Sequence, residues 1–331
     1  MNISWGAALL ALLAVGLMGF AIQRGGTCTV AAVDEILNQR RAHRLAAMLE
    51  ASLWVVGGLA LAQLAQWTGS MPAGHEATRW TVVGGVLLGL GAWVNGACVF
   101  GAIARLGSGQ WAQALTPAGF YVGCLIAGLF HPAKATGPVV AASAWPWWGN
   151  AAWLAPLFLL YAMWRVGPAL LAHWRQPAAL APLVQKVWAP HAATIVIGIS
   201  FVLTLLLAGP WAYTDVLAML AQGMRSGVWQ AWALPVLLLL ALLMGALLGG
   251  WTAGRWRPVA PSTALALRAL AGGSLMGCGS LLIPGSNDGL IFIGIPLMRP
   301  YAWLAFASMV LAIAAALLVQ RAWSAVPTRA A

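Results

Sequence analysis

The sequence predicts an all-α integral membrane protein, an inverted-repeat bundle of about nine spanning helices with re-entrant or half helices meeting at the membrane centre. Three observations lead there. Only 7% of the residues are charged while 62% are hydrophobic, against about 25% charged in an ordinary soluble domain. The chain divides into apolar stretches of about the length that a bilayer core demands. Finally, glycines in two of those stretches recur at one fixed spacing.

The expected spans are residues 3–22, 45–67, 80–94, 112–130, 147–164, 194–208, 229–250, 264–283 and 301–323. Four pieces between them, residues 27–37, 98–106, 211–220 and 287–297, are too short to cross and read as half helices. The opening residues resemble a signal peptide in length but lack its basic start and small-residue cleavage site, so they read as a retained first helix.

Charge sets the orientation. The net charge of +11 would suggest nucleic acid in a soluble protein. Here the basic residues gather in a few segments, around residues 24–44, 165–186, 255–268 and the C-terminal end. Cytoplasmic loops collect arginine in this way. Nucleic-acid binding is therefore set aside, and the N-terminus is expected outside with the C-terminus cytoplasmic. Tryptophans such as Trp145, Trp147 and Trp148 read as interface anchors.

The spacing is 188. Gly84, Gly85, Gly89, Gly91 and Gly101 are followed at that interval by Gly272, Gly273, Gly277, Gly279 and Gly289, and Gly57 by Gly245. Under the charge-derived orientation the helix at residue 80 starts outside and the one at residue 264 starts inside, so the copies are inverted. Residues 1–165 form the first copy and 191–331 the second. Residues 166–190, with Pro168, Pro177 and Pro182, read as a cytoplasmic bridge.

Three turns carry the candidate chemistry: Gly26-Thr27-Cys28, Asn95-Gly96-Ala97-Cys98, and Pro284-Gly285-Ser286-Asn287-Asp288. Each opens a short helix whose first backbone N–H groups and dipole favour an anion. Thiols and hydroxyls there donate hydrogen bonds without adding fixed negative charge, which suits a small dianion with a polarizable sulfur end. Cys28, Cys98 and Ser286 are the expected substrate contacts, with Gly26, Thr27, Asn95, Gly96, Gly285 and Asn287 around them. Asn95 and Asn287 also suit caps or turns. Asp288 is a candidate for proton coupling, or else a helix cap. Cys124 and Cys278 read as buried apolar side chains. Arg24 and Arg105 read as cations reaching an interface, where they could also draw an anion in. The four cysteines form no CxxC pair and no ligand cluster with histidine, so neither a metal nor a cofactor is expected.

The same residues resemble the YeeE/YedE family of sulfur-compound transporters. The resemblance runs from Gly19-Phe20 to Cys28, through Gly84 to Cys98 and Arg105-Leu106-Gly107-Ser108-Gly109, and from Gly272 to Asn287 and Gly294-Ile295-Pro296. It implies a non-enzymatic permease of the bacterial inner membrane, importing thiosulfate or a related small sulfur-containing anion along a narrow path lined by cysteine. It also implies cytoplasmic sulfur carriers of the TusA or rhodanese type as partners. One departure stands out: the family's second block usually reads Gly-Cys-Asn where this chain has Gly285-Ser286-Asn287. The alternative is a membrane thiol oxidoreductase using Cys28 and Cys98 as a redox pair.

Overall fold

The computed structural model describes residues 4–67, 72, 74–130, 139–140, 152–175, 186–227, 232–283 and 285–325. Trp145, Trp147, Trp148, Pro177, Pro182 and Pro284 lie outside them.

Six helices come first: α1 (Trp5–Gly25), α2 (Thr29–Gln39), α3 (His43–Leu64), α4 (Arg79–Asn95), α5 (Val99–Gly107) and α6 (Leu115–Phe130). Helix α7 (Leu154–Arg175) follows. Then the order long, short, long, long, short, long repeats as α8 (Pro190–Ala208), α9 (Tyr213–Ser226), α10 (Ala233–Thr252), α11 (Thr263–Leu282), α12 (Asn287–Gly289) and α13 (Pro300–Ala325). Helix α12 runs on as a π-helical turn, Leu290–Gly294. A two-residue antiparallel pairing of Gly74–His75 with Val139–Val140 lies outside the helices.

Local chemistry sets the helix ends. The Ser4 side chain accepts the Ala7 N–H and starts α1, and Ser262 does the same for α11 through Leu265. Gly26 and Gly96, at φ 58° and 71°, end α1 and α4 in the left-handed conformation that glycine adopts without strain.

Eight helical stretches among the described residues are long and apolar enough to cross a membrane. They correspond to eight of the nine expected spans. The ninth, residues 147–164, is represented by α7, whose apolar part, Leu154–Ala169, is shorter. Helix α7 continues through Pro168 to Arg175, so the first ten residues of the expected bridge are helical.

The packing obeys an exchange rule. The most extensive pairs are α4 with α11, α1 with α8, α6 with α11, α13 with α4, α1 with α10, and α3 with α8. Exchanging α1–α6 in order with α8–α13 turns α6–α11 into α13–α4 and α1–α10 into α8–α3, and maps the first two pairs onto themselves. At the central crossing, a Cβ on Gly91 would lie 2.6 Å from the Gly272 carbonyl oxygen, and one on Gly272 2.6 Å from that of Gly91. Gly84 and Gly279 face each other in the same way, at 2.7 and 2.6 Å. Helices α4 and α11 thus cross antiparallel, glycine against glycine. Small residues let the two backbones approach where lipid supplies no hydrophobic drive for helix association.

One polar cluster ties α7 to α3 and α8. Glu50 of α3 accepts from Arg165 Nε at 2.7 Å and from the Tyr161 hydroxyl at 2.8 Å, and pairs with His191 at the start of α8. Glu50 is buried, while Arg165 and His191 keep about a third of their side-chain surface exposed. Removing one partner of a fully buried pair costs about 3–5 kcal/mol, and the exposure of its partners reduces that here. Glu50→Ala should therefore cost on the order of 2 kcal/mol, read as a lower melting temperature in detergent.

Candidate functional site at the junction of four helix ends

The first residues of the four short helices meet inside the bundle. The Thr29 N–H of α2 donates to Cys98 Sγ at 3.2 Å, joining α2 to α5. Asn287 Nδ2 donates to Thr29 Oγ1 at 3.3 Å, joining α12 to α2. The Tyr213 hydroxyl donates to the Val99 carbonyl at 2.9 Å, joining α9 to α5. Thr214 Oγ1 donates to Asp288 Oδ1 at 2.6 Å, joining α9 to α12. These four contacts close a ring.

The residue preceding each helix is Cys28, Cys98, Ala212 or Ser286, each in extended backbone and none spending its side chain on a capping bond. The Cys28 and Cys98 thiols are both free and buried. Ser286 is fully buried, and its Oγ and the Asn287 Oδ1 have no hydrogen-bond partner among the described residues. Orphaned buried polar atoms cost about 1–3 kcal/mol each, so a folded protein keeps them where they have a use. Four helix dipoles point their positive ends at one place. The junction is a poor site for a cation and a good one for an anion able to accept from thiol and hydroxyl.

The structure joins Cys28, Cys98, Ser286, Asn287 and Asp288 in this ring, and Gly26, Gly96 and Gly285 shape the turns leading into it. Gly285 has φ 142° and donates to the Ser280 carbonyl. Two other expected residues do different things. Asn95 braces its own turn, with Nδ2 donating to the Ala97 carbonyl at 2.8 Å and Oδ1 accepting from Thr116. Thr27 borders a crevice with Met48, Phe100, Thr194 and Phe292. Asp288 also accepts the backbone N–H groups of Thr214 and Gly289, so it caps a neighbouring helix as well as its own.

Cys124 and Cys278 donate to the Gly277 and Gly123 carbonyls across the α6–α11 contact, which commits both to packing. Arg24 differs from the expectation. It is 3% exposed, its Nη2 donates to Thr252 at 2.8 Å, and it lies over the Phe20 ring. It is held inward because α10 offers a hydroxyl and Phe20 a ring face, so it does not reach for an interface.

Sequence reasoning missed Ala212, Tyr213 and Thr214, which complete the ring, and the Phe100–Phe292–Phe201 stack beside it. Phe100 and Phe292 touch edge to face at 5.5 Å, and the crevices flanking them hold about 10 Å³ each. That is barely room for one water molecule, so the residues beside the junction are tightly packed. Among the described residues, no group of three or more His, Cys, Asp or Glu side chains is placed to hold a metal ion.

The sequence profile of the family described as sulphur transport matches residues 24–315. The chain is also similar to the thiosulfate transporter TsuA of Escherichia coli K12, 25% identical in an alignment covering 91% of each protein. With four helix ends, two thiols and a free hydroxyl at the junction, and a match spanning most of the sequence, the chain belongs to the sulphur transport family, as the resemblance to YeeE/YedE transporters implied.

Proposed function

We propose that the ring of helix ends is the narrowest part of a path along which the protein imports thiosulfate or a related small sulfur-containing anion across the bacterial inner membrane. The carrying observation is the convergence of four helix N-termini on Cys28, Cys98 and Ser286, with the Ser286 hydroxyl unengaged. The positive helix ends hold the oxygens, and the thiols donate to the sulfur end. Gly26, Thr27, Gly96 and Gly285 shape the approach, and Asn95 and Asn287 steady it. Residues 1–165 and 191–331 are the two inverted copies, bridged by 166–190 on the cytoplasmic side, with the N-terminus outside and the C-terminus inside. Delivery to a TusA-like or rhodanese-type carrier in the cytoplasm would keep transport directional.

The test is uptake of labelled thiosulfate into cells lacking their own importers. Wild type should carry it, and Ser286→Ala should lower the rate about tenfold, the value of one hydrogen bond to a charged ligand. Ser286→Cys should keep uptake within a few-fold of wild type. A large gain in Ser286→Cys would mean that the natural cargo is a different sulfur anion. Asp288, if it couples the anion to a proton, makes a separate prediction: Asp288→Asn loses the pH dependence of uptake, whereas an unchanged pH profile leaves it a brace between α9 and α12.

The two free, buried thiols of Cys28 and Cys98 favour one other reading, a membrane thiol oxidoreductase. Removing both cysteines would then abolish quinone-linked thiol oxidation and leave solute uptake untouched.

A further inference from the structure

A cavity of about 710 Å³ lies next to the ring, with Val30, Gly96, Arg105, Gln113, Arg268 and Gln320 in its lining. We propose that this cavity is a second anion station, in which the Arg105 guanidinium holds a small doubly charged oxyanion one layer away from the thiols. The anion's identity rests on the reading above; the station does not.

Position is the first argument. Val30 follows Thr29, whose N–H reaches Cys98, and Gly96 lies two residues before Cys98. The cavity floor is therefore built from the residues adjoining both thiols. Gly96 also lies against the cation: a Cβ there would be 3.4 Å from Arg105 Nη1.

Charge is the second. Two arginines line the cavity and no Asp or Glu does. Arg105 is partly buried, and its side chain makes no ion pair or hydrogen bond among the described residues. The Asp34, Glu50 and Asp288 carboxylates are engaged elsewhere, with Arg321, Arg165 and Thr214. A partly desolvated guanidinium with no counter-ion favours an anion, and its planar fork matches two oxygens of an oxyanion.

Polar lining is the third. Gln113 is 6% exposed and its side-chain amide, 3.2 Å from the Thr116 hydroxyl, borders the cavity. Finally, the feature is not repeated at the positions 188 residues away. The residues 188 after Arg105 and 188 before Arg268 are Ile293 and Trp80, so the copy-related positions carry no cation. Under the proposed orientation the cationic mouth is the cytoplasmic one, where an imported anion waits before release.

The experiment titrates the purified full-length protein in detergent with sodium sulfate and with sodium thiosulfate, followed by calorimetry at low and high chloride. Sulfate has the charge and shape of the ligand but no terminal sulfur for the thiols. Wild type should bind both anions, more weakly as chloride rises. Arg105→Gln should weaken sulfate binding about tenfold or more, and Arg105→Lys should restore part of it. Arg268→Gln, at an exposed position and therefore safe for the fold, should weaken it about threefold. Sulfate binding unchanged in Arg105→Gln and in Arg268→Gln overturns the station, as does wild type that binds neither anion at millimolar concentration. If wild type fails to carry thiosulfate into cells yet loses sulfate binding on Arg105→Gln, the station stands and the transport reading falls. The reverse result removes the station and leaves transport intact.

Discussion

Gly91→Val and Gly272→Val should each prevent recovery of folded protein, while Gly6→Ala and Gly167→Ala should leave stability within about 0.5 kcal/mol of wild type. The difference lies in what a new side chain meets. At Gly91 a Cβ would be 2.6 Å from the Gly272 carbonyl oxygen and 2.8 Å from the Met276 backbone nitrogen. Both obstacles are helix backbone, which cannot rotate aside as a side chain can. At Gly6 and Gly167 nothing lies within 4 Å. Overpacking costs about 1–3 kcal/mol for modest additions, which is the expected cost of Gly91→Ala. Valine adds two methyl groups beyond that and forces α4 and α11 apart along their whole crossing, including the Gly84–Gly279 contact. Because each glycine faces the other's carbonyl oxygen at the same distance, the effects at residues 91 and 272 should match. Size-exclusion profiles and melting temperatures of fluorescent fusions in detergent provide the measurement. A monodisperse Gly91→Val protein with the wild-type melting temperature would mean that the two backbones do not approach as described.

That crossing was also the most legible feature of the sequence. Glycines at a fixed interval are a backbone signal, and the structure uses them at the backbone: α5 and α12 start at Val99 and Asn287, 188 residues apart. The fourth cap was illegible for two physical reasons. Cys28 corresponds in position to Ala212, 184 residues on, one helical turn short of the interval. Alanine also carries no chemistry that a motif search could notice. Helix α7 was obscured by Pro168, which reads as a breaker in water. In a membrane-embedded bundle, neighbouring groups can satisfy the freed carbonyl, and the helix continues. The inward course of Arg24 depends on Thr252, 228 residues away, and no local pattern announces such a partner. The cationic cavity was invisible for the same reason, since Arg105 and Arg268 come from opposite copies.

Cys98→Ala should lower thiosulfate uptake at least tenfold, with Cys98→Ser intermediate and Cys278→Ala close to wild type. Cys98 sits where two functions coincide. Its sulfur accepts the Thr29 N–H at 3.2 Å, so it fixes α2 against α5, and in the proposed path it also presents a thiol to the anion. Alanine removes the thiol and leaves the Thr29 N–H without its acceptor. A lost hydrogen bond to a charged ligand is worth about 1.5–3 kcal/mol, or roughly ten- to a hundredfold in rate or affinity. Serine keeps a donor and an acceptor, but its shorter, harder oxygen reaches Thr29 and the anion's sulfur less well. Cys278 provides the control. Its thiol is already committed to the Gly123 carbonyl in the α6–α11 contact, so its loss should register in stability rather than in transport. Uptake rates normalised to membrane-inserted protein separate the two effects. Uptake by Cys98→Ala equal to wild type would remove the thiol from the path and leave the helix ends and the Ser286 hydroxyl to hold the anion unaided.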